Sequence, residues 1–219
     1  MSCLAYALWT GLNLQWGGAR FSTSFIYSEG AIKFATAMIF VVLLSRLKQS
    51  LAREARLARR DSLTKLANRT AFYETVEAEM LRYKRFGHPL SIAYIDLDNF
   101  KNLNDMLGHR TGDNALRVVA EIIRSALRST DVPARLGGDE FAVMLTEANA
   151  SAADKAVRSL HSLLLNGMQR HGWPVTFSIG LATFDAIPVS VDAMIKRADA
   201  LMYTVKKDGK GDIRTRVFS

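Results

Sequence analysis

The apolar run "LSIAYIDLD" ends in two aspartates, Asp96 and Asp98. A carboxylate that closes a buried strand is costly unless something neutralises it. A hard divalent cation does so, and Mg²⁺ is held by one or two carboxylates together with phosphate oxygens. The competing reading is a helix cap, because Asp98 and Asn99 introduce "NFKNLNDMLG". We expect Asp98 to cap that helix and Asp96 to bind metal. Further on, "RLGGDEFAVML" sets Gly137 and Gly138 before Asp139 and Glu140, then runs apolar again. Adjacent glycines suit a two-residue hairpin that needs positive φ. They also let a phosphate chain approach the backbone with no Cβ in the way. If the two apolar runs are neighbouring strands, Asp96 and Asp139 converge. Paired carboxylates on adjacent strands make a metal-dependent phosphoryl- or nucleotidyl-transfer site. The alternative is an ordinary hairpin whose polar tip faces water, and Gly-Gly-Asp alone favours that alternative.

The elements that must position these residues begin near Asp61. "TAFYETVEAEMLRYKRFG" reads as a helix ending at Gly87, and "NALRVVAEIIRSAL" places Ala115, Val118, Val119, Ile122 and Ala126 on one helical face. "FAVMLTE" reads as a strand. "ADKAVRSLHSLLLNGM" turns Val157, Leu160 and Leu164 inward, and "VDAMIKRADALMYTVKK" does the same with Met194, Ile195, Ala198, Leu201 and Met202. "VTFSIGLATF" alternates as a half-buried strand, and "IRTRVF" is a short last strand. The strand–GG–strand turn interrupts the alternation of helix and strand. The expected class is therefore α+β, with a central antiparallel sheet and packed helices, not a doubly wound parallel sheet.

The chain has 219 residues and a net charge of +8. Six bases and one acid between Arg46 and Arg60 supply +5 of it, directly after the apolar run Ala31 to Leu44. A charge excess gathered there, with no nucleic-acid-reading motif, argues against a nucleic-acid partner. The order apolar-then-basic suits a helix crossing a membrane with the remainder cytoplasmic. We expect membrane segments in residues 1–46, with one spanning helix near 27–46 and Lys33 snorkelling at the outer interface. The run is short against the roughly 20 residues a span requires. A buried soluble helix is the alternative, and a signal peptide would carry its bases first. "LAYALWTGLNLQW" reads as a further interfacial or membrane remnant. Residues 47–60 form a helical linker, and 61–219 a catalytic domain. The single cysteine, Cys3, excludes an internal disulfide framework and a zinc cluster, and fits a reducing compartment.

Four segments in order carry a resemblance: "DSLTKLANR", "DLDNFKNLNDMLGHRTGD", "RLGGDEF" and "ADALMYTVKKDGKG". Together they resemble the GGDEF-domain diguanylate cyclases over Asp61 to about Arg214. The resemblance implies a ferredoxin-like palm, acting as a homodimer at the inner, cytoplasmic membrane, that condenses two GTP to cyclic di-GMP and two pyrophosphates. It implies Mg²⁺, with Mn²⁺ as an alternative, on Asp96, Asp139 and the Leu97 carbonyl. Asp139 matches the residue that helps deprotonate the attacking 3′-hydroxyl, and Glu140 lies beside it with a metal or structural role. Gly137 and Gly138 match the substrate turn. Asn104 and Asp113 match the guanine-reading pair, with His109 near the base pocket. Lys101, Lys206 and Lys210 match phosphate-contacting cations. Arg128 and Asp131 match the RxxD pair that binds product as an inhibitor, and Arg158 is a candidate second arginine. Lys65 departs from the family's usual glycine, Thr70 from a second arginine, and "GKGD" from the usual ending. A non-catalytic module that binds cyclic di-GMP or GTP is the alternative function.

Overall fold

The computed structural model describes residues 23–57, 59–186 and 190–219. The segment "LAYALWTGLNLQW" lies outside the described residues. The chain divides into two units, residues 1–55 and 56–219.

In the first unit, helix α1, Thr23–Leu57, runs unbroken for 35 residues. Its described side chains, residues 31–49, are exposed. The expected spanning helix near residues 27–46 finds no support here: among the described residues no helix is long and apolar enough to cross a membrane. The reason is the apolar stretch, not the helix. Ala31 to Leu44 contains Lys33, follows Glu29 and Gly30, and is closed by Arg46 and Lys48. A span needs roughly 20 predominantly apolar residues.

The second unit contains strands β1 Ala67–Asn68, β2 Leu90–Asp98, β3 Val132–Gly137, β4 Glu140–Thr146, β5 Thr176–Phe184 and β6 Ile213–Phe218. Its helices are α2 Arg69–Phe86, α3 Phe100–Leu107, α4 His109–Ala126, α5 Ala150–Arg170 and α6 Val191–Lys207. The sheet order is β1-β3-β4-β2-β5-β6. The four central strands pair antiparallel, while the outer pairs β1–β3 and β5–β6 are parallel. The sheet is therefore mixed, where a purely antiparallel one was expected. β5 reaches β6 through α6, and β1 reaches β3 only after α2, β2, α3 and α4; parallel neighbours need such long crossovers.

Helices cover both faces. Ala93, Ile95 and Leu97 of β2 pack with Leu116, Val119 and Val157 of α4 and α5. Ile92 and Tyr94 pack with Phe72, Val76 and Met202 of α2 and α6. All nine residues of β2 are buried, which is why its sequence reads as a continuous apolar run rather than an alternating one. β5, expected to be half-buried, is corrected by the same double cover: after Thr176 every residue is buried. Local signals fix the ends. Asn68 accepts a hydrogen bond from the Ala71 amide at the start of α2, and Gly87, at φ 71°, closes it.

The helix α6 lies close on β5 because Gly180 has no side chain. A Cβ there would stand 2.0 Å from the Ala198 carbonyl oxygen and 2.4 Å from the Met202 amide nitrogen. Backbone cannot yield as a side chain does, so Gly180→Ala must push α6 off the sheet. Urea denaturation should show a loss of about 1–3 kcal/mol or more for this one added methyl.

Candidate functional site

Strand pairing builds the site. Asp96 on β2 stands directly opposite Glu140 on β4, and the Leu97 amide donates to the Asp139 carbonyl at 3.3 Å. The end of the central strand and the tip of the β3–β4 hairpin therefore meet. The hairpin is tight: Gly137 pairs with Glu140, leaving Gly138 and Asp139 in the turn, with an irregular register between Arg135 and Gly137. Gly137 and Gly138 adopt φ 152° and 50°, values that favour glycine.

Asp96 is 4% exposed. Burial, with Asp139 and Asp98 nearby, raises its carboxyl to about 6, against the pull of Lys206. Lys206 Nζ on α6 lies 2.6 Å from Asp96 Oδ1, as an ion pair. That contact lacks hydrogen-bond alignment, and the buried Oδ1 has no hydrogen-bond partner. A buried, incompletely satisfied carboxylate oxygen beside a second carboxylate and a main-chain carbonyl is the donor set a hard cation takes. Among the described residues no three His, Cys, Asp or Glu side chains form a metal-binding group. The described carboxylates at this end of the sheet are therefore too few to form a cation site from protein side chains alone.

Asp98 has another role than the cap expected of it. Asn99, at φ 61°, occupies the N-cap of α3 and makes no side-chain cap bond. Asp98 is 2% exposed and accepts hydrogen bonds from the Ser178 and Thr176 hydroxyls and the Gly211 amide. It ties β2 to β5 and to the turn after α6. Lys210, in that turn, donates to Asn99 Oδ1 at 3.3 Å, so a second cation stands at this end of the sheet.

Asn104 lies half-buried on α3, and Asp113 is exposed on α4. Gly112 holds the two helices close: a Cβ on it would lie 1.9 Å from Asn104 Oδ1. Lys101 and His109 are exposed on α3 and at the start of α4. Arg128 and Asp131 stand before β3, at the opposite end of that strand from the hairpin. Six residues at roughly 3.3 Å each put about 20 Å between them and the carboxylates. Asp131 accepts from the main-chain amides of Arg128 and Thr146, at 3.0 and 3.4 Å. Arg158 is ion-paired with Asp154 at 2.7 Å on its own helix.

Two participants were missed from sequence. Arg135 donates to the Gly138 carbonyl through Nε and NH2 and to Asp61 through NH1, clamping the turn to the start of the domain. The Asp61 carboxyl is partly buried, which alone would raise it, but hydrogen bonds from Thr64 and Arg135 hold it below its ordinary value. Only the recurrence of Asp61 and Arg135 in two of the quoted segments hinted at the pair. Tyr94 is buried on the Asp96 face; burial first, and then the nearby Glu140 carboxylate, push its hydroxyl well above the ordinary tyrosine value.

With this geometry in hand, comparison with known proteins places the chain. Residues 58–212 match the family "Diguanylate cyclase, GGDEF domain". The chain belongs to that family. It is 35% identical over 157 residues to the diguanylate cyclase DosC of Escherichia coli K12, covering 70% of this chain and 34% of that protein. It is equally identical over 179 residues to the cyclic di-GMP phosphodiesterase NbdA of Pseudomonas aeruginosa, covering 78% of this chain and 22% of that protein. The chain spans about a third or less of the length of these two relatives. Among solved structures, the GGDEF domain of DgcB from Caulobacter crescentus in complex with c-di-GMP shares 29% identity and a TM-score of 0.63, covering 72% of this chain and 95% of that one. The coiled coil and GGDEF domain of the same DgcB shares 27% identity and a TM-score of 0.65, covering 86% and 98%.

Two outcomes follow from the geometry. Gly112→Ala must displace the Asn104 side chain, and two-dimensional NMR of the side-chain amides should show the Asn104 resonances shift while those remote from α3 and α4 stay in place. Asp96 holds its proton more tightly folded than unfolded, so its contribution to stability is present below the ordinary carboxylate range and is lost as pH rises through about 6. In EDTA, urea denaturation of the parent chain should show this decline between about pH 4 and pH 7, and Asp96→Asn should lack that component.

Proposed function

We propose that the chain is a diguanylate cyclase, condensing two GTP molecules to cyclic di-GMP and two pyrophosphates. The observation that carries this reading is the meeting of Asp96, the Leu97 main chain and Asp139 at a glycine turn, with Lys206 2.6 Å from Asp96. Asp96, Asp139 and the Leu97 carbonyl would hold Mg²⁺, with Mn²⁺ as the alternative, and Glu140 adjoins them. Bound there, the cation would offset the triphosphate charge and make the α-phosphate more electrophilic.

The chain's own residues do the rest. Gly137 and Gly138 present backbone with no side chain to obstruct the phosphates. Lys206, Lys210 and Lys101 offer cations to them. Asn104 and Asp113 read guanine, because a carboxylate accepts from N1–H and the 2-amino group, which adenine lacks; a site built on those bonds rejects the other base. Asp139 is placed to accept the proton of the attacking 3′-hydroxyl.

Each domain of this reading holds one GTP, so two copies must face one another as a homodimer. The likeness to a structure that comprises a coiled coil and a GGDEF domain supports α1 as the pairing element. Arg128 and Asp131 would bind product as an inhibitor, in keeping with the likeness to a domain solved in complex with c-di-GMP. Asp131 is already fixed by main-chain amides and Arg128 is exposed.

Incubating the purified full chain with GTP and Mg²⁺ and resolving the nucleotides by chromatography tests the proposal. Cyclic di-GMP from the parent and at least a hundredfold less from Asp139→Ala is the expected result, since losing a charge-stabilising group costs on that order. Equal amounts from both would remove Asp139 from the chemistry. No product from the parent, with tight binding of added cyclic di-GMP, would leave the non-catalytic binding module.

A further inference from the structure

Tyr94 is the one aromatic residue of β2 and is 5% exposed. A phenylalanine would fill such a place without a polar atom, and a buried tyrosine hydroxyl usually has a hydrogen-bond partner. The sheet around Tyr94 selects that partner. Tyr94 stands opposite Ala142 on β4 and Gly180 on β5, the two smallest residue types, one on each side. The two sides are not equivalent. Over Gly180 the main chain of α6 comes so close that even a Cβ would stand 2.0 Å from the Ala198 carbonyl oxygen. Over Ala142 there is only a methyl group to clear. The ring therefore has its room on the β4 side.

Side chains of one face alternate along β4, so the residue that shares the Ala142 face on the hairpin side is Glu140. It lies diagonal to Tyr94 and directly opposite Asp96. Diagonal neighbours are about 7–8 Å apart, within reach of an aromatic side chain. Glu140 accordingly acts on the Tyr94 hydroxyl more strongly than Asp199 of α6 or Arg69 of α2 does. Lys206 is engaged by Asp96 and Arg69 by the Tyr73 hydroxyl. That leaves the phenol O–H as a donor for Glu140. A neutral donor suits this place. An ammonium or guanidinium would also hold the carboxylate, but it would compete with a cation for the same charge. A hydroxyl fixes one oxygen and leaves the negative charge in being.

We propose that Tyr94 is a positioning residue, whose hydroxyl donates to one oxygen of Glu140 and leaves the other free for the cation at the Asp96–Asp139 end of the sheet. This rests on the cyclase reading above, which supplies the cation. Carboxylates that bind metals are themselves held by hydrogen bonds, and losing such a partner lowers metal affinity by about 10–100-fold.

Two measurements on the full chain test the proposal without turnover. With tyrosine labelled with carbon-13 at ring Cζ, NMR in EDTA reads the contact directly. The Tyr94 signal, identified by its loss in Tyr94→Phe, should move more in Glu140→Ala than in Asp199→Ala. Electron paramagnetic resonance then follows Mn²⁺ binding in the presence of a non-hydrolysable GTP analogue. Tyr94→Phe, which keeps the ring and removes one oxygen, should weaken Mn²⁺ about tenfold. Glu140→Ala should weaken it at least as much, and the double variant no further, because the hydroxyl acts only through that carboxylate. Parent-like affinity in Tyr94→Phe, losses that multiply in the double variant, or a larger carbon shift in Asp199→Ala would each overturn the proposal. A parent that binds Mn²⁺ with the analogue but shows one of those results refutes the role of Tyr94 alone. A parent that binds no Mn²⁺ with the analogue refutes the cyclase reading and this proposal together.

Discussion

The structure is organised around one carboxylate that is difficult to bury. Asp96 closes the central strand at 4% exposure, with Asp98 and Asp139 close enough to raise its carboxyl further. Water cannot solvate it, and one lysine at 2.6 Å satisfies it only in part. Everything nearby serves to keep that group in place at tolerable cost. β4 and β5 flank its strand, α6 brings Lys206 over it, and Gly180 lets α6 come near enough to do so. A site that is costly when empty of cations gains most from taking one up, because the Coulomb attraction acts where the dielectric is low.

Asp98, two residues away on the same strand face, shows the contrast. Its oxygens take two hydroxyls and a main-chain amide. A carboxylate satisfied in this way has little left to offer a ligand, and its bonds join three distant segments of chain. The two aspartates differ in partners, not in exposure. Sequence alone assigned the metal to Asp96 and a helix cap to Asp98, and the hydrogen bonds overturn the second of these.

That pattern explains what could be read beforehand. The apolar runs, the glycine after α2 and the hairpin glycines are local signals, and helices and strands formed where those signals lay. The four ordered motifs covered the carboxylates, and strand pairing brought Asp96 and Asp139 together as expected. What could not be read depends on partners remote in sequence. Asp98 finds Ser178 only after β5 has paired with β2, and the parallel edges follow from how the chain crosses the sheet. The importance of Gly112 lies in the position of Asn104 on a different helix. The apolar run of α1 is a local signal of another kind: it pointed to a membrane span, and among the described residues no helix is long and apolar enough to make one.

The glycine turn carries a further consequence of the same physics. Two adjacent glycines give the hairpin tip access to the φ values it needs, and that freedom must be removed again if Asp139 is to hold one position. Arg135 removes it. Its planar guanidinium takes the Gly138 carbonyl on one side and Asp61 on the other, a geometry an ammonium cannot reproduce. Asp61 in turn accepts from the amide and hydroxyl of Thr64, which directly precedes the strained Lys65. The loop that opens the domain is thus held by the same carboxylate that fixes the hairpin turn. Its rigidity is what allows a lysine to remain in a left-handed conformation there, since a looser loop would relax and spend the strain on a different backbone shape.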